Sequence, residues 1–247
     1  MNVLKKLYDK SPIWFAVSWI IAYCVLMSVG DELSALICIE KSVTLVIGII
    51  LSAVLLLFLK KNGLFRDYGL CATKTYAKSM LYYIQILVML TANLWYGVIL
   101  NYGALETVLY ILAMLCVGFL EEVIFRGLLF EAMRKDSVKA AIIVSSVTFG
   151  IGHIINLING SGAELLPNLL QVVYATAAGF MFVMMYYKSK SLIVCIAAHG
   201  LFNALSVFAN EANATAEMRI LTAILLTVIT GSYALYLALS MRGKTND

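Results

Sequence analysis

Apolar residues fill long continuous runs of the chain, and polar residues gather in the short segments between them. Eight of these runs are about 20 residues long, enough for a helix to cross a hydrocarbon core of roughly 30 Å. They lie near residues 12–30, 42–59, 79–100, 107–133, 139–159, 167–187, 191–209 and 219–240. The pattern predicts an all-α, polytopic membrane protein with about eight transmembrane helices, forming a single membrane domain over residues 1–247.

The composition agrees with a membrane protein and argues against a soluble domain. Hydrophobic residues make up 62% of the chain and charged residues 13%, whereas a soluble domain has about 25% charged residues. The five cysteines form no CxxC pair, so we interpret them as small hydrophobic residues rather than as a disulfide framework. The expected partner is the lipid bilayer, and no nucleic-acid partner is expected.

The positive charges are concentrated in alternate segments between the apolar runs. Fifteen of the 18 lysines and arginines lie around 1–11, 60–78, 134–139, 188–190 and 242–244. If the N-terminus is cytoplasmic and the helices alternate in direction, all five segments fall on the cytoplasmic side, as the positive-inside rule requires. We therefore predict a multi-pass protein of the cell membrane with both termini in the cytoplasm.

Few ionisable residues lie deep within the predicted spans. They are Glu121, Glu122 and Arg126 in the fourth span, His153 in the fifth and His199 in the seventh. A charge at such a depth costs a few kcal/mol even on insertion scales, so these groups usually face a cavity and mark function. The pattern favours one shared polar site over five polar residues that occur in the spans independently.

Helical spacing separates the two adjacent glutamates. Glu122 and Arg126 are i, i+4 neighbours on one helix face and are predicted to pair. Glu121 is rotated by about 100° from Glu122, so we predict that it remains available as an acid or base. Distances along the helices place Glu121, His153 and His199 between the middle of the bilayer and its cytoplasmic half.

Neighbouring residues suggest what this site does. Phe149 lies one turn before His153, while Gly150 and Gly152 are predicted to allow close helix packing. Asn203 lies one turn after His199 and has an amide that can donate to a developing oxyanion. Glu121 could deprotonate water as a general base, and the histidines could position that water, bind a metal or simply join helices. Peptide hydrolysis and transport both remain open on these residues.

Three motifs strengthen the first of these hypotheses. EEVIFR fits EExxxR, FGIGH fits FxxxH and HGLFN fits HxxxN, in that order on successive predicted helices within 107–209. This arrangement resembles the CPBP (CAAX protease and bacteriocin-processing, or Abi) family of intramembrane metalloproteases. The resemblance implies a fold like that of the CAAX endopeptidases.

The resemblance also implies roles for individual residues. Glu121 and His153 would activate water, His199 and Asn203 would form the oxyanion site, and Glu122, Arg126 and Phe149 would support them. The cofactor is left open between Zn²⁺, with Glu121, His153 and His199 as possible ligands, and no metal.

The expected substrate is a membrane-associated peptide or protein that reaches the site from the membrane or the cytoplasmic side. The short chain and basic loops suggest a bacterial protein, in peptide maturation, bacteriocin immunity or signalling. Two alternatives remain: a non-enzymatic immunity or signalling partner, and a proton-coupled transporter.

Overall fold

Helices dominate the computed structural model, which describes residues 2–158 and 164–242. Asn159, at the end of the predicted fifth span, and Lys244 lie outside the described residues. Within those ranges the only β-structure is an isolated antiparallel bridge between Val98 and Ala209. The all-α prediction is confirmed.

Besides five 3-10 segments, the described ranges contain nine α-helices, of which the fifth changes type along its length. The first four are α1 (Asn2–Lys10), α2 (Pro12–Leu36), α3 (Ser42–Lys61) and α4 (Ile84–Thr91). Helix α5 (Ala104–Met133) is α-helical over Ala104–Glu121, π-helical over Glu122–Phe130 and α-helical again over Glu131–Met133. The last four are α6 (Val138–Gly152), α7 (Leu165–Ser189), α8 (Ile193–Leu205) and α9 (Ala216–Arg242).

Local sequence signals set where two of the long helices begin. The Ser11 hydroxyl accepts a hydrogen bond from Trp14 N at 3.3 Å, and Pro12 occupies the first helical position of α2. Ser137 caps α6 in the same way by accepting from Ala140 N at 3.2 Å. Both caps satisfy backbone N–H groups that have no partner inside their helix.

Six of the predicted spans correspond to helices long and apolar enough to cross a membrane. These are α2, α3, α5, α6 with the 3-10 turn His153–Leu157, α7 and α9. The predicted third and seventh spans instead contain the short helices α4 and α8, of 8 and 13 residues. Each continues into a 3-10 turn, Ala92–Leu94 after α4 and Ser206–Phe208 after α8, and Ile99 N donates to Phe208 O at 3.0 Å. The two short helices are thus joined through the segments that follow them.

The segments rich in lysine and arginine lie together at one end of the helix bundle, here called the basic end. Leu192 N donates to Gly69 O at 2.8 Å and Tyr68 Oη to Tyr8 Oη at 2.9 Å. Lys188 Nζ donates to Ser240 Oγ at 2.7 Å. These contacts connect the first, second, fourth and last of the basic segments, as the charge pattern predicts.

The other end of the bundle, here called the opposite end, contains the loops after α2, α4 and α8. Glu40 N donates to a carboxylate oxygen of Glu106 at 3.1 Å, and Asn101 Nδ2 donates to Val207 O at 2.9 Å. Lys41 and Arg219, which lie outside the five basic segments, pair here with Asp31 and Glu211.

Candidate active site

The middle of α5 departs from α-helical geometry where the carboxylates lie. Glu121 is the last α-helical residue, and the π-helix begins at Glu122. All nine residues of the π-helix are buried, and Ser145 Oγ of α6 donates to the Phe125 carbonyl at 2.8 Å. π-helical turns are rare and frequent at functional sites.

Glu122 lies at the centre of a fully buried set of charges. Arg126 Nη1 is 3.1 Å from Glu122 Oε1, and both side chains have 0% exposure. His199 Nδ1 of α8 is 2.8 Å from the same oxygen. Because an ionised carboxylate only accepts, Nδ1 of His199 carries the proton in this contact. Glu122 therefore holds a cation from its own helix and an imidazole from a second one.

Glu121 faces a different set of partners. Its Oε1 accepts a hydrogen bond of 2.6 Å from Tyr23 Oη of α2. Its Oε2 is 3.3 Å from His199 Nε2, outside hydrogen-bond geometry, and among the described residues this buried oxygen has no hydrogen-bond partner. One carboxylate oxygen is thus fixed by Tyr23, while the lone pairs of the other remain unused among the described residues.

Two phenylalanines surround the charged groups. The Phe149 ring centre is 4.0 Å from the Arg126 guanidinium carbon, and the ring is edge-on to both His153 and His199. Phe182 stacks on the His199 ring at 5.5 Å. Contact with a ring face favours a buried cation, and packing on both sides restricts rotation of the imidazole.

A cavity of about 330 Å³ lies against this network. Glu121, Tyr23, His153 and Asn203 line it. His153 Nδ1 is 3.1 Å from the Phe149 carbonyl, and since a carbonyl only accepts, this nitrogen carries the proton and leaves Nε2 as an acceptor in neutral imidazole. His199 lies behind the wall and lines a small apolar cavity of about 30 Å³ instead.

The segment that contains most of these site residues is similar to a known protein family. Residues 103–205 match the family model "Type II CAAX prenyl endopeptidase Rce1-like". This confirms the resemblance predicted from the three motifs. The match spans about two-fifths of the chain and includes Glu121, His153, His199 and Asn203. No match was found among curated proteins or solved structures.

Within the Rce1-like segment, the structure brings most of the predicted site residues together. Glu121, Glu122, Arg126, Phe149 and His199 are in direct contact, while His153 and Asn203 share a cavity wall with Glu121. The predicted pairing of Glu122 with Arg126 is confirmed as a contact.

The two glycines before His153 differ in their surroundings. A Cβ on Gly150 would lie 2.8 Å from the Thr176 backbone nitrogen, so α6 and α7 pack closely there, whereas nothing lies within 4 Å of a Cβ on Gly152. The prediction of close packing is right for Gly150 and wrong for Gly152, which lines the cavity.

Tyr23 is the residue of this site that sequence reasoning missed. It lies in α2, outside the Rce1-like segment and within an apolar run. Nothing in its neighbourhood along the chain distinguishes it from the other tyrosines. Its contact with Glu121 joins residues 98 positions apart, and such a pairing follows only from the packing of α2 against α5.

The metal hypothesis can be tested against the donor set. Within residues 2–158 and 164–242, no three histidine, cysteine, aspartate or glutamate side chains form a group that could hold a metal ion. His199 Nδ1 is occupied by Glu122, and His153 does not join Glu121 and His199 in such a group. Glu121, His153 and His199 as arranged here therefore do not fit a three-ligand zinc site.

Proposed function

We propose that this protein is an intramembrane endopeptidase that hydrolyses a peptide bond with water activated by Glu121. The proposal rests on one observation: the two oxygens of the Glu121 carboxylate have different surroundings. One oxygen is fixed by Tyr23, and the other is buried beside His199 without a hydrogen-bond partner among the described residues. The similarity to Rce1-like CAAX endopeptidases supports a protease.

The reaction begins with a water molecule between Glu121 and His153. Glu121 Oε2 takes a proton from the water, while His153 Nε2 accepts its other O–H and orients it. The oxygen attacks the peptide carbonyl carbon and forms a tetrahedral intermediate. The proton held by Glu121 then passes to the amide nitrogen as the carbon–nitrogen bond breaks, so one carboxylic acid and one amine are released.

The negative charge of the intermediate needs a donor within the cavity. We assign this role to Asn203, because it lines the cavity and its amide makes no hydrogen bond among the described residues. The family resemblance implies the same role for His199, but both of its nitrogens are directed at carboxylates. We therefore assign His199 to positioning Glu121. Loss of one oxyanion donor typically costs about 10²–10³ in kcat.

A basic side chain lies beside each carboxylate of this network. Arg126 Nη1 is 3.1 Å from Glu122 Oε1, and His199 contacts both glutamates. Buried carboxylates that have basic groups as neighbours avoid the cost of a buried ion without a partner. His199 thus positions Glu121 without touching the substrate.

Cleavage by the purified protein tests this proposal. Quenched-fluorescent peptides would be incubated in detergent with wild type, Glu121→Gln and His153→Ala. We expect both variants to fold and to lose cleavage. Glu106→Gln is the matched control, because Glu106 lies on the same helix at the opposite end and contacts Glu40 N. Retained cleavage in Glu121→Gln would remove its assigned role, and ion flux in liposomes without cleavage would favour a transporter.

A further inference from the structure

The cavity beside Glu121 extends in one direction only. Beyond Glu121 and its floor, the walls come from the second half of α2, the start of α3, the first half of α5, the turn after α6, the first half of α7 and the segments that end α4 and α8. Each of these parts lies towards the opposite end of the bundle. Tyr23, Cys24, Met27, Ser28 and Asp31 follow one another along the α2 wall in that direction.

Towards the basic end, the cavity is closed by tightly packed side chains. Phe125 and Phe149 form its floor and are 4% and 3% exposed. Beyond them, Leu128 and Phe130 of the π-helix are 1% and 0% exposed, and Phe130 packs against Tyr186. These buried side chains lie between the basic loops and Glu121.

Towards the opposite end, the cavity becomes polar. Asp31 accepts from Lys41 Nζ at 2.8 Å and from Thr44 Oγ1 at 2.6 Å, and all three residues line the cavity. An ion pair at such a position is stable where water reaches it. Burial lowers the pKa of Lys41, but Asp31, Tyr110 and Glu40 together more than offset this, so the net shift of the pKa is upwards and the lysine stays charged.

A second cavity of about 310 Å³ lies beside the first at the same end. The two share a wall that includes Gln171, Tyr174 and Phe202. Asn168, which is 1% exposed, lines the second cavity, and its Oδ1 has no hydrogen-bond partner among the described residues. Asn168 Nδ2 donates to the His153 carbonyl at 2.8 Å, so this residue connects the second cavity to the turn that contains His153.

We propose that the substrate reaches Glu121 from the opposite end, the face of the membrane away from the basic loops. With the basic loops in the cytoplasm, the substrate class is an extended peptide segment exposed on the extracytoplasmic face, such as an exported peptide or the outer flank of a membrane protein. This inference rests on the proposed function and replaces the expectation of access from the cytoplasmic side.

The native cysteines allow a direct test. Cys24 lines the cavity, Cys38 is exposed in the loop after α2 at the opposite end, and Cys71 lies at the basic end, where its carbonyl accepts from Ser191 Oγ. Three variants would each keep one of these cysteines, with Cys116→Ala throughout and the buried Cys195 left in place. Each would be treated with a small membrane-impermeant methanethiosulfonate in right-side-out and in inverted vesicles.

We expect Cys24 to be modified from the side that modifies Cys38 and not from the side that modifies Cys71. A Ser28→Cys variant in the cysteine-depleted background should be modified from the same side as Cys24. Its modification should be faster, because residue 28 lies nearer the opposite end, towards which the cavity opens. Modification of Cys24 and Ser28→Cys from the Cys71 side, or from neither side, would overturn the inference. Labelling needs no catalysis, so this result is independent of the Glu121→Gln assay.

Discussion

At the scale of single residues, two glutamates adjacent in sequence have become chemically different. Glu122 has 0% exposure and is surrounded by Arg126 and His199, whereas Glu121 faces a cavity and Tyr23. The difference comes from the rotation between neighbouring helix positions and from what packs against each face. We therefore expect substitutions at the two positions to have different effects.

Removing the Tyr23 hydroxyl should weaken catalysis without weakening substrate binding. A hydrogen bond to a charged group contributes about 1.5–3 kcal/mol, so we expect Tyr23→Phe to lower kcat by roughly 10- to 100-fold. KM should stay the same if Tyr23 only positions Glu121. Tyr110→Phe is the control, because Tyr110 lines the same cavity but shares its hydroxyl with Ser206. An equal effect in both variants would contradict the assignment.

Removing the Glu122 carboxylate should mainly lower stability. Glu122→Ala leaves Arg126 buried without its counter-charge, and breaking a buried pair in this way costs about 3–5 kcal/mol. Thermal unfolding in detergent should show a large decrease in Tm, and Glu122→Ala/Arg126→Met should recover part of it. If Glu122→Ala keeps full stability and loses cleavage, Glu122 and not Glu121 is the chemical residue.

At the scale of helices, the site depends on how closely α8 approaches α5. A Cβ on Gly118 would lie 2.5 Å from both the Cα and the nitrogen of Gly200. These are backbone atoms, so the helices would have to separate to accommodate it. Gly200 follows His199 directly, and this contact sets the position of the imidazole relative to the two carboxylates.

Gly118→Ala should therefore reduce both stability and cleavage. Overpacking of this kind costs about 1–3 kcal/mol, and any separation of α5 from α8 moves His199 away from Glu121. Gly231→Ala in α9 is the matched control, because nothing lies within 4 Å of its Cβ. Tm and kcat should decrease in the first variant and stay at the wild-type level in the second. A neutral Gly118→Ala would show that the helices can adjust.

The helix type of α5 was beyond sequence reasoning. The i, i+4 spacing of Glu122 and Arg126 predicted their contact correctly, but the residues from Glu122 to Phe130 are π-helical. Residues of ordinary helix propensity occupy this segment, and the wider turns depend on partners such as Ser145 from another helix. Tertiary contacts of this type produce no recognisable pattern in the local amino-acid sequence.

At the scale of the whole molecule, charge and hydropathy predicted which segments lie at the same end of the helix bundle. They did not predict towards which end the cavity at the site opens. The distribution of lysine and arginine correctly brought the basic segments to one end, because each side of a membrane selects for charge segment by segment. Depth counted along helices predicted overlapping levels for Glu121 and the histidines, and Glu121 contacts His199 and shares a cavity with His153. The direction in which their cavity opens depends on side-chain packing between α2, α5 and α7, and no single segment encodes it.

The short helices α4 and α8 have a consequence for the surrounding lipid. At 1.5 Å per residue, their 8 and 13 residues rise about 12 Å and 20 Å, less than a hydrocarbon core of roughly 30 Å. Ile84 and Leu87 of α4 are 54% and 60% exposed and form an apolar surface on this flank. Hydrophobic mismatch on this flank favours a locally thinned leaflet. The protein should therefore accumulate in membrane regions with short-tailed lipids, where thinning costs the least free energy.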